Sequence, residues 1–550
     1  MEPRARLKDP REVERRRWYT LLVLCLSLMV IGLDNTVLNV ALPTLAHHHG
    51  GLGATASQLQ WIVDAYTIVF AGLLLTAGSL GDRFGRYKAL ALGLGLFGAG
   101  SLASAFVGSA NALIATRALM GVGGAFIMPS TLSILTNVFT NPLERGKAIG
   151  VWAGVSAAGI GVGPLVGGFL LSHFWWGSVL LVNVPIVIAG LVLGFFLVPD
   201  SRDPSAPKLD PLGAVLSIAG LASLLWAVIE GPTRGWGSGA ILGAFAAGFV
   251  VLAAFLAWEL TYSSPMLDIR VFNNPRFSAA SGAITLTFLA LFGTLFLMTQ
   301  YFQAVLGYST LKAGAVFVPQ AGVMLVFAPL SSVWVQKLGN KVVVAGGLTM
   351  VAVMMLLFQT MNQSSHLWQV IGLTMLLGLG MAHVMAPATD SIMGSLPRAK
   401  AGVGSAVNDT TRQVGGAVGV AVFGSILASR YGSRFTHALG RTVPGSVVSA
   451  ARNSIGKTID VASSPAGHPY APALLAKGHA SFVSGLHVAA LVGAAVIALA
   501  VTGVLAWLPA RPRDEEVAAV LDVVPAGGGS WERAEPERVE LERVELGWEA

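Results

Sequence analysis

Charge is scarce in this chain. Of 550 residues only 11% are Asp, Glu, Lys or Arg, against about 25% in a soluble globular protein. Mean hydropathy is +0.69, and 54% of the residues are hydrophobic. So few charges cannot cover a water-facing surface of this size, which excludes a soluble globular fold. Cysteine is rarer still: Cys25 stands alone, so an intramolecular disulfide and a cysteine-based metal site are excluded. Clustered His, Asp and Glu at ligand spacing are missing, as is a Ser or Cys nucleophile beside a base. No membrane-embedded enzyme or metal site is therefore expected. The run His47-His48-His49 lacks partners at ligand spacing. The nearest approach to a phosphate-binding loop is "ARNSIGKT", Ala451 to Thr458, with Ala where that pattern needs Gly.

Apolar sequence is what the chain has in quantity. A membrane-crossing helix needs roughly 20 apolar residues, and fourteen runs meet that length. They are about Trp18–Leu42, Leu59–Gly78, Ala89–Val107, Ala112–Thr136, Ala148–Leu171, Val179–Val198, Leu212–Glu230 and Ala240–Leu260. Phe277–Tyr301, Ala313–Trp334, Val342–Met361, Leu367–Pro387, Gly402–Ala428 and Val483–Leu508 complete the set. All are expected to be helices, because an open sheet cannot satisfy its backbone in lipid. The 66 glycines suit closely packed membrane helices. The N-terminal run has no small-residue cleavage site, so it is expected to be retained as the first span.

The basic residues orient the chain. Thirteen Lys and Arg, from Arg83 to Lys400, fall in short loops after even-numbered spans; only Arg234 and Lys312 fall in short loops after odd-numbered ones. By the positive-inside rule both termini are expected in the cytoplasm. The net charge of +7 thus reads as a topology signal, and no nucleic-acid partner is expected. Residues 430–482 form a long, polar, Pro/Gly/Ser-rich external loop, which puts "ARNSIGKT" outside the cell and argues against ATP as fuel. Residues 1–17 and 511–550 are read as cytoplasmic tails, the latter flexible.

The loop "GSLGDRFGRYK" after span two has a weak echo, "LSSVWVQKLGNK", after span ten. Aligning Gly85 with Gly339 sets Asp82 against Gln336 and Arg83 against Lys337. Two related halves with a site between them are common in transporters. The expected division is residues 18–200, an added pair of spans in 201–272, and 273–510. In the first loop Gly81 and Gly85 permit a tight turn with close helix approach. Asp82 can accept hydrogen bonds from a neighbouring helix N-terminus, where the dipole favours an anion. Arg83 and Arg86 can pair with nearby carboxylates. The loop reads as a latch holding two bundles shut on the cytoplasmic side. In span five, Gly150 precedes Gly159, Gly163-Pro164 and Gly167-Gly168. Gly159, Gly163 and Gly167 repeat every four residues and line one face, where another backbone can approach closely. Pro164 removes a hydrogen bond and kinks the helix.

These motifs resemble those of the major facilitator superfamily. Gly78-x-Leu80-Gly81-Asp82-Arg83-x-Gly85-Arg86 looks like its signature loop, with Tyr87 where a second basic residue is usual. The glycine spacing of span five resembles the antiporter signature of the drug-exporting branches. "LDNTVLNVALP", "QWIVDAYT", "RALMGVGGA" and "NDTTRQVGGAVGVAV" are similar to segments of the 14-helix drug:proton antiporter branch. The resemblance implies an all-α fold of two six-helix bundles plus two helices, exporting amphipathic, often cationic compounds. It also implies a proton gradient rather than a cofactor as the energy source, and a monomer in the cell membrane.

Charged residues inside spans sharpen the expectation, because they are expensive in lipid. Asp34 lies nine residues below Pro43, roughly 13 Å from the outer end of span one. Asp64 lies roughly 10 Å deep in span two and Arg117 roughly 9 Å deep in span four. The three converge on one level and are expected to face a shared wet cavity, with Asn39 nearby on span one. Arg117 is a fixed charge; a proton and a cationic cargo would compete for the two acids. Asp390, Asp409 and Arg412 form a second, inner group, read as a gate or as structural pairing. Glu230 is expected to be solvated at the outer face, and His383 to be a packed histidine. Alternatives to multidrug export are a dedicated exporter of one endogenous product and a membrane sensor that has lost transport.

Overall fold

The computed structural model describes residues 10–46, 51–54, 56–202, 210–263, 265, 267–397, 400–439, 442–452 and 454–509. The side chains of Asn39 and Pro164, all of His47–His49, and the tail from residue 510 lie outside the described set. The described residues contain helices and no strands. The first six long helices are α1 (Pro10–Ala46), α2 (Ala56–Phe84), α3 (Arg86–Ala105), α4 (Ala110–Val138), α5 (Pro142–His173) and α6 (Asn183–Leu197). An added pair follows, α7 (Pro211–Arg234) and α8 (Gly239–Thr261). The second six are α9 (Pro275–Gln300), α10 (Val318–Leu338), α11 (Asn340–Leu357), α12 (Leu367–Gly394), α13 (Ala401–Leu439) and α14 (Ala471–Trp507). Thirteen candidate spans are long and apolar enough to cross a membrane among the described residues. The remaining expected span, the fifth, is the 32-residue helix α5.

Helix starts at one end share a chemistry. α5, α7 and α9 begin with Asn141-Pro142, Asp210-Pro211 and Asn274-Pro275. Each Asn or Asp side chain accepts from a first-turn backbone N–H, and each proline takes the position whose N–H would be unbonded anyway. This is the end where the Lys- and Arg-bearing loops gather, here called the basic end. α1 begins at Pro10, so the helix takes in part of the segment expected to be a tail.

Within the first bundle α4 packs on α2 and α3, and α5 on α1; within the second, α13 packs on α9 and α14, and α12 on α10 and α11. α5–α10 and α2–α13 contacts join the two bundles. α7 sits against α2 and α13 and carries α8 on its far side. Apolar side chains of α8 such as Leu242, Phe249 and Val250 are exposed, as a lipid-facing helix requires.

The internal repeat is expressed in backbone geometry. Gly85, between α2 and α3, and Gly339, between α10 and α11, have φ of +117° and +81°, a region that favours glycine. A Cβ at Gly159 or Gly163 would press on α1 near the carbonyls of Met29 and Leu33. One at Gly415 or Gly419 of α13 would press in the same way on Thr285 and Leu289 of α9.

Residues 430–482, expected to form an irregular external loop, depart from that expectation. α13 has 39 residues, about 58 Å at 1.5 Å per residue, far more than the ~30 Å hydrocarbon layer needs. Its end, short helices Gly445–Ala451 and Ile455–Ser463, and the start of α14 enclose a core of their own. Phe435, Leu439, Val448, Ile455 and Leu474 are all buried there, and Thr458 is bonded to the Tyr431 hydroxyl. A polar composition concealed enough apolar residues at helical spacing to build a folded cap.

Candidate functional site

Three charged clusters lie in and between the bundles. The first joins α1, α4 and α6. Arg117 donates from Nη1 to Asp34 Oδ2 at 2.6 Å, and Asn183 Nδ2 donates to Asp34 Oδ1 at 3.1 Å. Arg117 Nε donates to the Ile62 carbonyl on α2, and its guanidinium lies 4.5 Å from the centre of the Tyr66 ring. Ser101 accepts from Asn183 and donates to the Leu180 carbonyl. Asp34 is 0% exposed and Arg117 2%.

Asp34 and Arg117 are thus brought together as expected, but Asp34 is buried rather than facing the surface of a cavity. The pair is enclosed, with Asn183, itself bonded to Ser101, against Asp34, and Tyr66 and the Ile62 carbonyl against Arg117. Asp64, half-buried on α2, is the most accessible of the three charges. Sequence reasoning missed Asn183, Ser101 and Tyr66. Asn183 carried a signal, a strong hydrogen-bonding side chain inside an apolar run.

The second cluster sits at the basic end. Arg86 donates from Nε to Asp82 Oδ1 at 2.7 Å. Asp82 also accepts from the backbone N–H groups of Gly402, at 2.9 Å, and Val403, at 3.1 Å. These N–H groups open α13 and have no partner within their own helix, so a carboxylate meets the positive end of a helix dipole. Gly78 makes room: a Cβ there would lie 2.6 Å from the Gly402 carbonyl oxygen. Arg86 N donates to the Ser201 carbonyl and Tyr87 N to Asp200 Oδ1, which ties the loop to the end of α6. Arg83 stacks over Phe84 at 5.6 Å.

A second tie crosses the same boundary. Arg145 Nε of α5 lies 2.7 Å from Asp390 Oδ1 of α12. Asp390 thus stands apart from Asp409 and Arg412, because its carboxylate is turned to α5. Between these ties α5 meets α10 backbone to backbone: a Cβ at Gly150 would lie 2.5 Å from Pro329 Cα. Toward the other end the glycine face turns to α1, where a Cβ at Gly163 would overlap Thr36 Oγ1 and one at Gly167 would lie 3.0 Å from the Val37 carbonyl oxygen. A Cβ at Gly168 would meet Leu311, ahead of α10.

The third cluster is the pair Asp409 and Arg412 on α13, 3.7 Å apart at Oδ1 and Nη1. Both are buried. Arg412 Nη2 donates to Thr389 Oγ1 at 3.1 Å, and its guanidinium lies 4.9 Å from the Trp152 ring and 5.4 Å from the Phe288 ring. Glu230 is buried and paired with Arg234 at 2.8 Å, not solvated, because α7 leans on α2 and α13. His383 bonds the Leu379 carbonyl one turn back, as packing histidines do.

A polytopic helical bundle with buried intramembrane ion pairs and two glycine-lined helices across a bundle boundary defines a membrane carrier. The Major Facilitator Superfamily model matches residues 24–420, and the chain belongs to that superfamily. It is 38% identical over 491 residues to the multidrug efflux pump LfrA of Mycolicibacterium smegmatis, covering 89% of this chain and 96% of that one. It is 33% identical over 511 residues to the tetracenomycin C resistance and export protein of Streptomyces glaucescens, covering 90% and 93%. It is 34% identical over 452 residues to the methyl viologen resistance protein SmvA of Salmonella typhimurium, covering 82% and 90%. Among solved structures the human organic anion transporter MFSD10 superposes with a TM-score of 0.57 at 17% identity, over 89% of this chain and 99% of that one.

Proposed function

We propose that the protein is a proton-driven antiporter that exports amphipathic, often cationic organic compounds across the plasma membrane. It works as a monomer with both termini in the cytoplasm, and takes its energy from the proton gradient, without ATP or a cofactor. Residues 18–200 and 273–510 move against each other, with 201–272 as an added pair beside them. The observation that carries the reading is the buried ion pair between Asp34 and Arg117. An ionised acid at membrane depth is costly unless paired, and a proton arriving on it removes the reason for the pair. Loss of the pair then frees α1 against α4, and the change reaches the boundary through the α1–α5 glycine contact. Relatives named for multidrug efflux, for export of tetracenomycin C and for resistance to methyl viologen, an organic dication, support export as the direction and organic compounds as the cargo.

In the state described, the ties at the basic end close the cytoplasmic side. The test uses proteoliposomes with an imposed pH gradient and a panel of lipophilic cations. Addition of a transported cation is expected to move protons in the opposite direction. Cargo movement unaffected by collapse of the gradient would overturn the reading.

A further inference from the structure

Arg412 lies in an aromatic box that straddles the two bundles. Trp152, on α5, supplies one wall at 4.9 Å and Phe288, on α9, another at 5.4 Å. Asp409 supplies the negative charge at 3.7 Å. Trp152 is held in orientation, since its Nε1 donates to Thr131 Oγ1 of α4 at 3.1 Å. Asp409 Oδ1 accepts from Asn408 Nδ2 at 3.3 Å, and Asn408 Oδ1 accepts from Thr389. Trp152 and Arg412 lie about 15 Å and 16 Å from the starts of α5 and α13, near the middle of the ~30 Å layer. The box is therefore at mid-depth on the boundary where the bundles meet.

Two features set this box apart from a structural ion pair. The contact between Arg412 and Asp409 is long, at 3.7 Å, and Arg412 Nε is buried without a hydrogen-bond partner among the described residues. Native interiors rarely leave such an atom unpaired, and an ion pair kept for cohesion alone would satisfy it. Moreover, two aromatic faces and a carboxylate at membrane depth match the recognition of an organic cation. Here they surround a cation that belongs to the protein.

We propose that the box of Trp152, Phe288 and Asp409 is a binding subsite for the cationic group of the cargo, filled in this state by the Arg412 side chain. Cargo entry displaces the guanidinium, which is held by the two rings, by one hydrogen bond to Thr389 and by a long contact to Asp409. The bundles must part to admit the cargo, because Trp152 and Asp409 lie on opposite sides of the boundary. Arg412 thus acts as a stand-in ligand that keeps the subsite from standing open with its carboxylate uncompensated. The inference rests on export of cationic compounds and deepens it by naming where the charge is read.

The test is equilibrium binding of radiolabelled tetraphenylphosphonium to the purified full chain in nanodiscs. Arg412→Gln removes the resident cation and is expected to tighten binding about tenfold. Trp152→Leu is expected to weaken it about tenfold in both the wild-type and the Arg412→Gln backgrounds, and Trp152→Phe less. Triphenylphosphine oxide, a neutral analogue, is expected to show no dependence on Arg412. Monodispersity and thermal melting of each variant guard against misfolding, with Trp152→Phe as the conservative control. If wild-type protein binds and exports tetraphenylphosphonium but Arg412→Gln and Trp152→Leu leave its affinity unchanged, the subsite is wrong and the exporter reading stands. If wild-type protein neither binds nor exports any lipophilic cation, both fail.

Discussion

Asp82 of α2 caps the first turn of α13 by accepting the backbone N–H of Gly402 at 2.9 Å, 320 residues away in sequence. One carboxylate thereby serves two duties: it neutralises the buried Arg86 and satisfies a helix end on the other bundle. Asp82→Ala is expected to take the buried carboxylate away from Arg86, at a cost on the order of 3–5 kcal/mol, and to release α13. Spin labels at the exposed positions 84 and 400 should report a longer and broader distance distribution than in wild type. An unchanged distribution would remove Asp82 from the latch.

Asp34 and Arg117 are expected to behave as a unit in stability. Asp34→Asn or Arg117→Gln alone strands a buried partner, at about 3–5 kcal/mol each. The double variant is expected to cost clearly less than the two together, because neither charge is left behind. Thermal unfolding of purified protein in detergent reads this cycle. Additive losses would show that the pair is not coupled in the folded state.

Two glycines of α5 should separate packing from movement. Gly163→Ala meets Thr36 inside one bundle, and such overpacking costs typically 1–3 kcal/mol. Thr36→Ala is expected to restore part of that loss. Gly150→Ala meets the Pro329 backbone across the boundary, so separating the bundles relieves it. Its expected effect is a shift toward the cytoplasm-open state, seen as faster thiol labelling of a cysteine placed near position 332, with a smaller drop in melting temperature. Equal labelling of wild type and Gly150→Ala would contradict this.

The Arg145–Asp390 pair is half-buried, with side chains 13% and 25% exposed, so it is screened less than a surface pair. Asp390→Arg places two like charges together and is expected to reduce export. The exchange Arg145→Asp with Asp390→Arg is expected to recover it. Failure of the exchange to recover any export would mean that the positions matter for something other than their mutual attraction.

Much of this was legible in the sequence because membrane helices make depth easy to read. Counting residues from a span's end placed Asp34 and Arg117 at one level, and the structure joins them. Gly159, Gly163 and Gly167 of α5 read as a close-contact face, and the backbone of α1 meets it there; the approach of α10 at Gly150 lay outside that reading. Counting cannot give rotation about a helix axis or the identity of neighbouring helices. That is why Asp390 was grouped with Arg412 although it faces Arg145, and why Trp152 passed as one more apolar residue. It is also why Asp34 was expected to face water: the side chains that enclose the pair, Asn183 at Asp34 and Tyr66 at Arg117, come from helices whose azimuth no spacing reveals. The folded cap at the end of α13 was missed for another reason. Its apolar residues are spread over four short segments, each too brief to register as a buried face.

The most direct measurement compares two assays on one variant, Asp34→Asn, in proteoliposomes. Exchange of labelled for unlabelled cargo without a pH gradient asks whether the carrier still cycles, and accumulation driven by a pH gradient asks whether protons are coupled. The account predicts that exchange survives in measurable amount while gradient-driven accumulation is lost. Accumulation at the wild-type level would contradict it, because the acid of the Asp34–Arg117 pair would then carry no part of the proton coupling.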